Sequence, residues 1–160
     1  ADILQSLLVA CEKDTLLAKD WDGYTPLHLA LRYISDSDSI LSIINACPQA
    51  TQIGDKWGQI PLHHAVDCSR SSKVIQSLIA ADPSNVKVKD EEGLTPLDVF
   101  NELWDEQLEN ALQSFDIGKT TAATFEELVE NEYNDKREIK WVFEAATLLL
   151  RAKVQNTVEP

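Results

Sequence analysis

Three segments of the chain carry the same pattern at one fixed spacing. Residues 20–30 read DWDGYTPLHLA, residues 55–65 read DKWGQIPLHHA and residues 90–100 read DEEGLTPLDVF. Asp, Gly and Pro recur together (Asp20, Gly23, Pro26; Asp55, Gly58, Pro61; Asp90, Gly93, Pro96), 35 residues apart both times, and Pro48 and Pro83 keep the same interval. A period of this length means stacked supersecondary units, none of which can bury its apolar face alone. The fold therefore follows from the period, and function is to be sought on the surface of the stack.

Each unit is chemically legible. Asp-x-x-Gly is a turn signal: the carboxylate accepts backbone amides two residues on, and glycine takes a positive φ at no steric cost. Thr25 and Thr95 stand where an N-cap belongs, with Pro26 and Pro96 at the first helical position, where the missing amide hydrogen costs nothing. A short helix follows, with Leu27, Leu62 and Leu97 equivalent and small Ala30 and Ala65 allowing close approach. Second helices are read from Ile3, Ile40 and Val74, with apolar residues three and four apart.

These residues resemble the ankyrin repeat, whose signature is Asp-x-x-Gly-x-Thr-Pro-Leu-His-x-Ala on a period of about 33. The resemblance covers residues 20–100. It implies an all-α fold: an ankyrin-repeat solenoid of stacked helix-turn-helix units with short β-turn fingers and an irregular helical C-terminal cap. One domain then spans 1–160: a partial repeat over 1–19, repeats over 20–54 and 55–89, and an atypical repeat over 90–160. A start inside a helix pattern, with no initiating Met, reads as a piece of a longer protein. The glycine that usually separates the two helices is replaced by serine-rich links at Ser35–Ser39 and Ser69–Ser72. In the third unit His becomes Asp98 and Ala becomes Phe100, as suits a terminal repeat.

Beyond Phe100 two readings stay open. Leu97, Phe100, Trp104, Leu108, Leu112 and Phe115 continue at helical spacing, and 139–145 matches 75–81 in pattern. Either 139–145 is the third unit's second helix, delayed by an acidic insertion at about 105–138, or Leu108–Phe115 is that helix and a helical cap follows. A capping box at Thr124–Glu127 opens a further helix in both.

Charge narrows the function. The net charge is −13, and Asp105–Glu138 holds ten acidic and three basic residues. This sign repels phosphate backbones and anionic lipid, so no nucleic-acid partner is expected. No apolar run approaches the ~18 residues of a membrane span, and an intracellular, cytoplasmic, monomeric domain with no membrane insertion is the expectation. The acidic stretch reads as a solvated loop, or as a lure for a basic partner. Cys11, Cys47 and Cys68 lack metal or redox spacing and read as buried thiols. Adjacent His63 and His64 diverge by ~100° on a helix, so they do not converge on zinc. In the family, the histidines matching His28 and His63 link neighbouring loops. No nucleophile–base pair or phosphate loop stands out, and no enzyme activity, cofactor or metal is expected.

The resemblance also implies where binding occurs, because turn tips and the inward face of the first helix line a concave groove for protein partners. Carried over, the tips are Trp21, Asp22 and Tyr24; Lys56, Trp57 and Gln59; Glu91, Glu92 and Leu94. The helix positions are Arg32 and Tyr33; Asp67 and Cys68; Glu102 and Leu103. Aromatics there either anchor a partner or pack against the next turn for stability. The expected function is non-catalytic protein–protein interaction, with a partner that carries a basic segment. The alternative is a regulatory or targeting domain of a larger enzyme or channel.

Overall fold

A computed structural model describes residues 13–103 and four further helical positions, Ala145, Leu148, Leu149 and Ala152. The expectations for 1–12, for the insertion at 105–138 and for the start of the last helix fall outside the described residues. The described elements are α1 (Lys13–Leu17), α2 (Pro26–Tyr33), α3 (Ser37–Ala46), α4 (Pro61–Asp67) and α5 (Ser72–Ala81), with 3-10 turns at Pro48–Gln52 and Pro83–Lys87. Residues 96–103 form a further helix, α6. The fold is all-helical, with no strand among the described residues.

The elements repeat as the sequence does. α2 packs on α4 and α3 on α5, while α2 also meets α3 and α4 meets α5, so first helices form one layer and second helices another. Pro48 and Pro83 open the 3-10 turns that end each unit, and α1 occupies the same register one unit earlier. Leu27, Ala30 and Leu31 of α2 are buried, and so are Leu62, Ala65 and Val66 of α4 one period on. The second helices contribute Ile40, Ile43 and Ile44, then Val74, Ile75 and Leu78. Each large side chain so buried is worth roughly 1.5–3 kcal/mol, which is what holds two short helices in a pair neither could form alone. Phe100, standing where α2 and α4 carry alanine, is 1% exposed, and the same core takes in Ala145, Leu149 and Ala152. Those positions recur three and four apart, as one buried helix face requires.

The three turns are copies of one another. In each, one carboxylate oxygen of the Asp accepts two amides: Asp22 and Tyr24 on Asp20 (2.9 and 2.8 Å), Trp57 and Gln59 on Asp55 (2.9 and 3.0 Å), Glu92 and Leu94 on Asp90 (3.0 and 2.9 Å). Gly23, Gly58 and Gly93 all have φ between +76° and +84°. Successive turns are joined through the backbone, Lys56 N–H to Asp22 O at 3.1 Å and Glu91 N–H to Trp57 O at 2.9 Å. A Cβ on Gly23 would sit 2.8 Å from Lys56 N, and one on Gly58 would sit 3.1 Å from Glu91 N. Glycine is needed twice over here, for its φ and for the space.

The links between helices are less uniform than the turns. After α4 the chain closes with Ser69 at φ 49°, the left-handed position usually given to glycine, while Ser69 N–H and Arg70 N–H return to Val66 O and Ala65 O. After α2, Ile34 is extended instead (φ −96°, ψ 123°) and packs against the core. The serine-rich stretches are only partly links: Asp36 caps α3, which begins at Ser37, and α5 begins at Ser72. Ser37 and Ser71 bond each other through their hydroxyls at 2.8 Å, and Arg70 donates to Leu31 O.

Substitution at the glycines separates the two demands. Gly93→Ala should cost about 1 kcal/mol, the usual penalty for an L-residue in the left-handed region; Gly23→Ala should cost clearly more, since its Cβ has no room. Equal losses in urea unfolding would remove the close-approach argument. The same assay tests the link after α4, where Ser69→Gly should stabilise the fold by up to about 1 kcal/mol.

Candidate functional site

In the first two units a histidine ties the helix cap to the turn of the next unit. His28 Nδ1 accepts the Thr25 amide at 3.1 Å and the Thr25 hydroxyl at 2.9 Å. A ring nitrogen that accepts an N–H carries no proton, so the proton is on Nε2, which donates to Gln59 O of the next turn at 3.2 Å. His63 repeats the arrangement between Ile60 N–H and Leu94 O, at 3.2 and 3.1 Å. Asp98 makes the capping half, taking the Thr95 amide and hydroxyl at 2.9 and 2.7 Å; a carboxylate has no N–H to donate to a carbonyl as an imidazole does.

The middle turn is braced once more. Asp55 holds its own turn with one oxygen and meets His64 Nε2 with the other at 2.9 Å, both side chains being buried. His64 lies edge-on to His28 (centroids 5.1 Å) and to Tyr24 (5.6 Å), and Tyr24 in turn packs on Trp57 at 5.9 Å. Arg32 donates to the Tyr24 hydroxyl at 2.8 Å and lies over its ring. Burial, against the pull of Arg32, pushes the Tyr24 phenol up, so it stays protonated. Trp57 thus projects from the turn with the most internal supports, which limits what it would lose in order on contact with a partner.

The residues singled out from the sequence fall into two groups. Asp22, Tyr24, Arg32, Lys56 and Gln59 are engaged within the fold: Lys56 pairs with Asp22 and lies 4.2 Å from the Trp57 ring centre, and Gln59 donates to Asp90 at 3.2 Å. Trp21, Tyr33, Trp57, Asp67, Glu91, Glu92 and Glu102 are exposed, and their side chains make no hydrogen bond or ion pair among the described residues. Trp21 is 102% exposed, Tyr33 75% and Trp57 44%. Leu103 at the end of α6 is exposed as well, while Cys68 is half-buried with its thiol pushed up by burial.

One exposed residue was missed. Leu29 lies one helical turn before Tyr33, and its counterparts are His64 and Val99; that i, i+4 relation was the available signal. Leu29, Tyr33 and Leu103 belong to the first-helix layer, while Trp21 and Trp57 belong to the turns. These five are the exposed large apolar side chains among the described residues, and the second helices contribute none. The exposed apolar side chains of the described residues thus lie on the turns and the first helices.

No protein-family model matches this chain, and no curated protein matches it either. Among the described residues, no three His, Cys, Asp or Glu side chains group as metal ligands, and no helix is long and apolar enough to cross a membrane.

The histidine links make a pH prediction with a definite sign. Burial, reinforced by neighbouring His64, lowers His28 from 6.5 to about 4, and burial lowers His63 in the same direction. Between pH 6.5 and about 4 the unfolded chain takes up a proton that folded His28 refuses. Stability should be level above pH 6.5 and fall as the pH drops, by about 1.4 kcal/mol per unit from this residue and roughly 3 kcal/mol in all. His28 ring resonances should hold their neutral positions down to pH 5; a midpoint near 6.5 would dispose of the link.

Proposed function

We propose that the chain is an ankyrin-repeat module whose work is non-catalytic binding of a protein partner along the face made by its turns and first helices. The observation that carries this reading is the one-sided exposure of Trp21, Leu29, Tyr33, Trp57 and Leu103. Exposed Trp and Tyr are the side chains that most often anchor interfaces, and here they stand on braced backbone. The recurring Asp-x-x-Gly turn and the histidine relay support the family reading, since both are what the resemblance implies at those positions.

The charge on this face selects the partner's chemistry. Asp67 and Glu102 are exposed on the first helices, and Glu91 and Glu92 on the third turn, all without a basic side chain at ion-pair distance among the described residues. An apolar segment flanked by Lys or Arg matches that pattern. Carboxylates at the rim act on association rate and are screened over ~8 Å at physiological salt, whereas a desolvated indole acts on release.

Trp57→Ala should therefore weaken a captured partner by ~2 kcal/mol or more, mainly through faster dissociation, with the unfolding midpoint used to confirm that the fold persists. Placement of the partner is tested with a photo-crosslinker at position 33 and, as control, at Gln76, exposed on a second helix. Crosslinking from 33 and not from 76, lost on Trp57→Ala, is expected. A partner captured only from position 76 would overturn the reading.

A further inference from the structure

At the first junction of the turn stack an ammonium already sits on an aromatic ring. Lys56 Nζ pairs with the Asp22 carboxylate and lies over the Trp57 ring, 4.2 Å from its centre. A cation within about 6 Å of an indole centroid is drawn to the negative face of the ring, and a carboxylate beside it adds a full opposite charge. Both partners of the ammonium are fixed independently of it. Asp22 gives its N–H to Asp20 at 2.9 Å and its carbonyl to Lys56 N–H at 3.1 Å. Trp57 gives its N–H to Asp55 at 2.9 Å and packs on the Tyr24 ring at 5.9 Å. The turns shape this seat, and the lysine side chain fills it.

Stacking of the turns does not require that side chain. The junction is made by the backbone N–H of Lys56, and Glu91, at the same place in the next turn, makes the equivalent bond to Trp57 O at 2.9 Å with a side chain of opposite charge. The Lys56 and Asp22 side chains are 46% and 49% exposed, and an ion pair in that much water adds little to stability. We infer that Asp22 and Trp57 form a seat for a lysine side chain of the partner, with Lys56 as the resident occupant that the partner's lysine replaces. The inference rests on the binding reading above and names the residues that take the cation of the basic segment. Lys56 is tethered beside the seat, so a free ammonium ion competes poorly with it, whereas a lysine delivered on an already bound segment meets it on equal terms. The resident lysine is a built-in competitor that raises the threshold for unspecific cations.

The probe is a blocked Gly-Lys-Gly tripeptide, compared with its norleucine analogue, which keeps the apolar stem without the charge. Titrated at constant ionic strength into 15N-labelled protein, the lysine peptide should shift the Trp57 indole N–H and the Asp22 amide in a saturable way. It should bind Lys56→Ala at least about threefold more tightly than the unaltered chain, and Lys56→Gln should show the same gain. Lys73→Ala, which removes the same charge from an exposed position on α5, should show none. Asp22→Asn placed in the Lys56→Ala background should abolish the gain, with thermal melts confirming that each variant is folded. The inference is overturned by the absence of saturable shifts at Trp57 in Lys56→Ala, by equal affinity with and without Lys56, by the same gain in Lys73→Ala, by indifference to Asp22→Asn, or by a norleucine peptide that binds as well. Each of these results would leave Lys56 and Asp22 as an exposed ion pair only. Crosslinking from position 33 decides the binding face by itself, so failure of the seat and failure of the face are told apart.

Discussion

Backbone lying directly on backbone is the contact around which this molecule is arranged. Lys56 N approaches so close to Gly23 that even a methyl group would collide with it, and the hydrogen bond made there is the one that sets the distance between units. Once that distance is set, the helices behind the turns have little freedom. Ala30 and Ala65 stand at equivalent places on neighbouring first helices, and both are buried, where a small side chain lets the helices approach closely. The core is a consequence of the spacing as much as its cause. Apolar burial supplies the free energy, and the turn contact supplies the register.

The histidines convert that register into a directional chain. Each ring spans from the cap of its own helix to a carbonyl of the following turn, so the cap of one unit and the position of the next are one interaction. Burying an imidazole is tolerable because both nitrogens are satisfied in the neutral form. Asp98 retains the cap, and as a carboxylate it has no N–H with which to repeat the histidine's donation to a carbonyl. The middle turn gains the further bond from His64 to Asp55, and it is this turn that presents Trp57.

Order of this kind makes the exposed residues informative. Side chains that could have folded back, such as Tyr24, Arg32 and Lys56, have done so. Those that remain exposed, Trp21, Tyr33, Asp67, Glu91, Glu92 and Glu102, make no side-chain hydrogen bond or ion pair among the described residues.

Periodicity alone determined the turns, the caps, the buried leucines and the small alanines, because each of these depends on residues within about four positions or on one pattern repeated at a fixed interval. The bond from Asp20 to the amides of Asp22 and Tyr24 is of that kind, and so is Thr25 before Pro26. Only the tertiary structure decided which turn-tip residues are spent within the fold and which are free. Those choices are made between groups 31 to 34 positions apart: His28 with Gln59, Lys56 with Asp22, Gln59 with Asp90. Distance along the chain hides them, and so does chemistry, since a tip lysine or tyrosine reads the same whether it meets a neighbour or water. Ser69 shows the same limit in the backbone. Its left-handed φ is imposed by the need to turn α4 into α5, against the preference of serine, whereas the similar stretch after α2 solves the same problem with an extended Ile34.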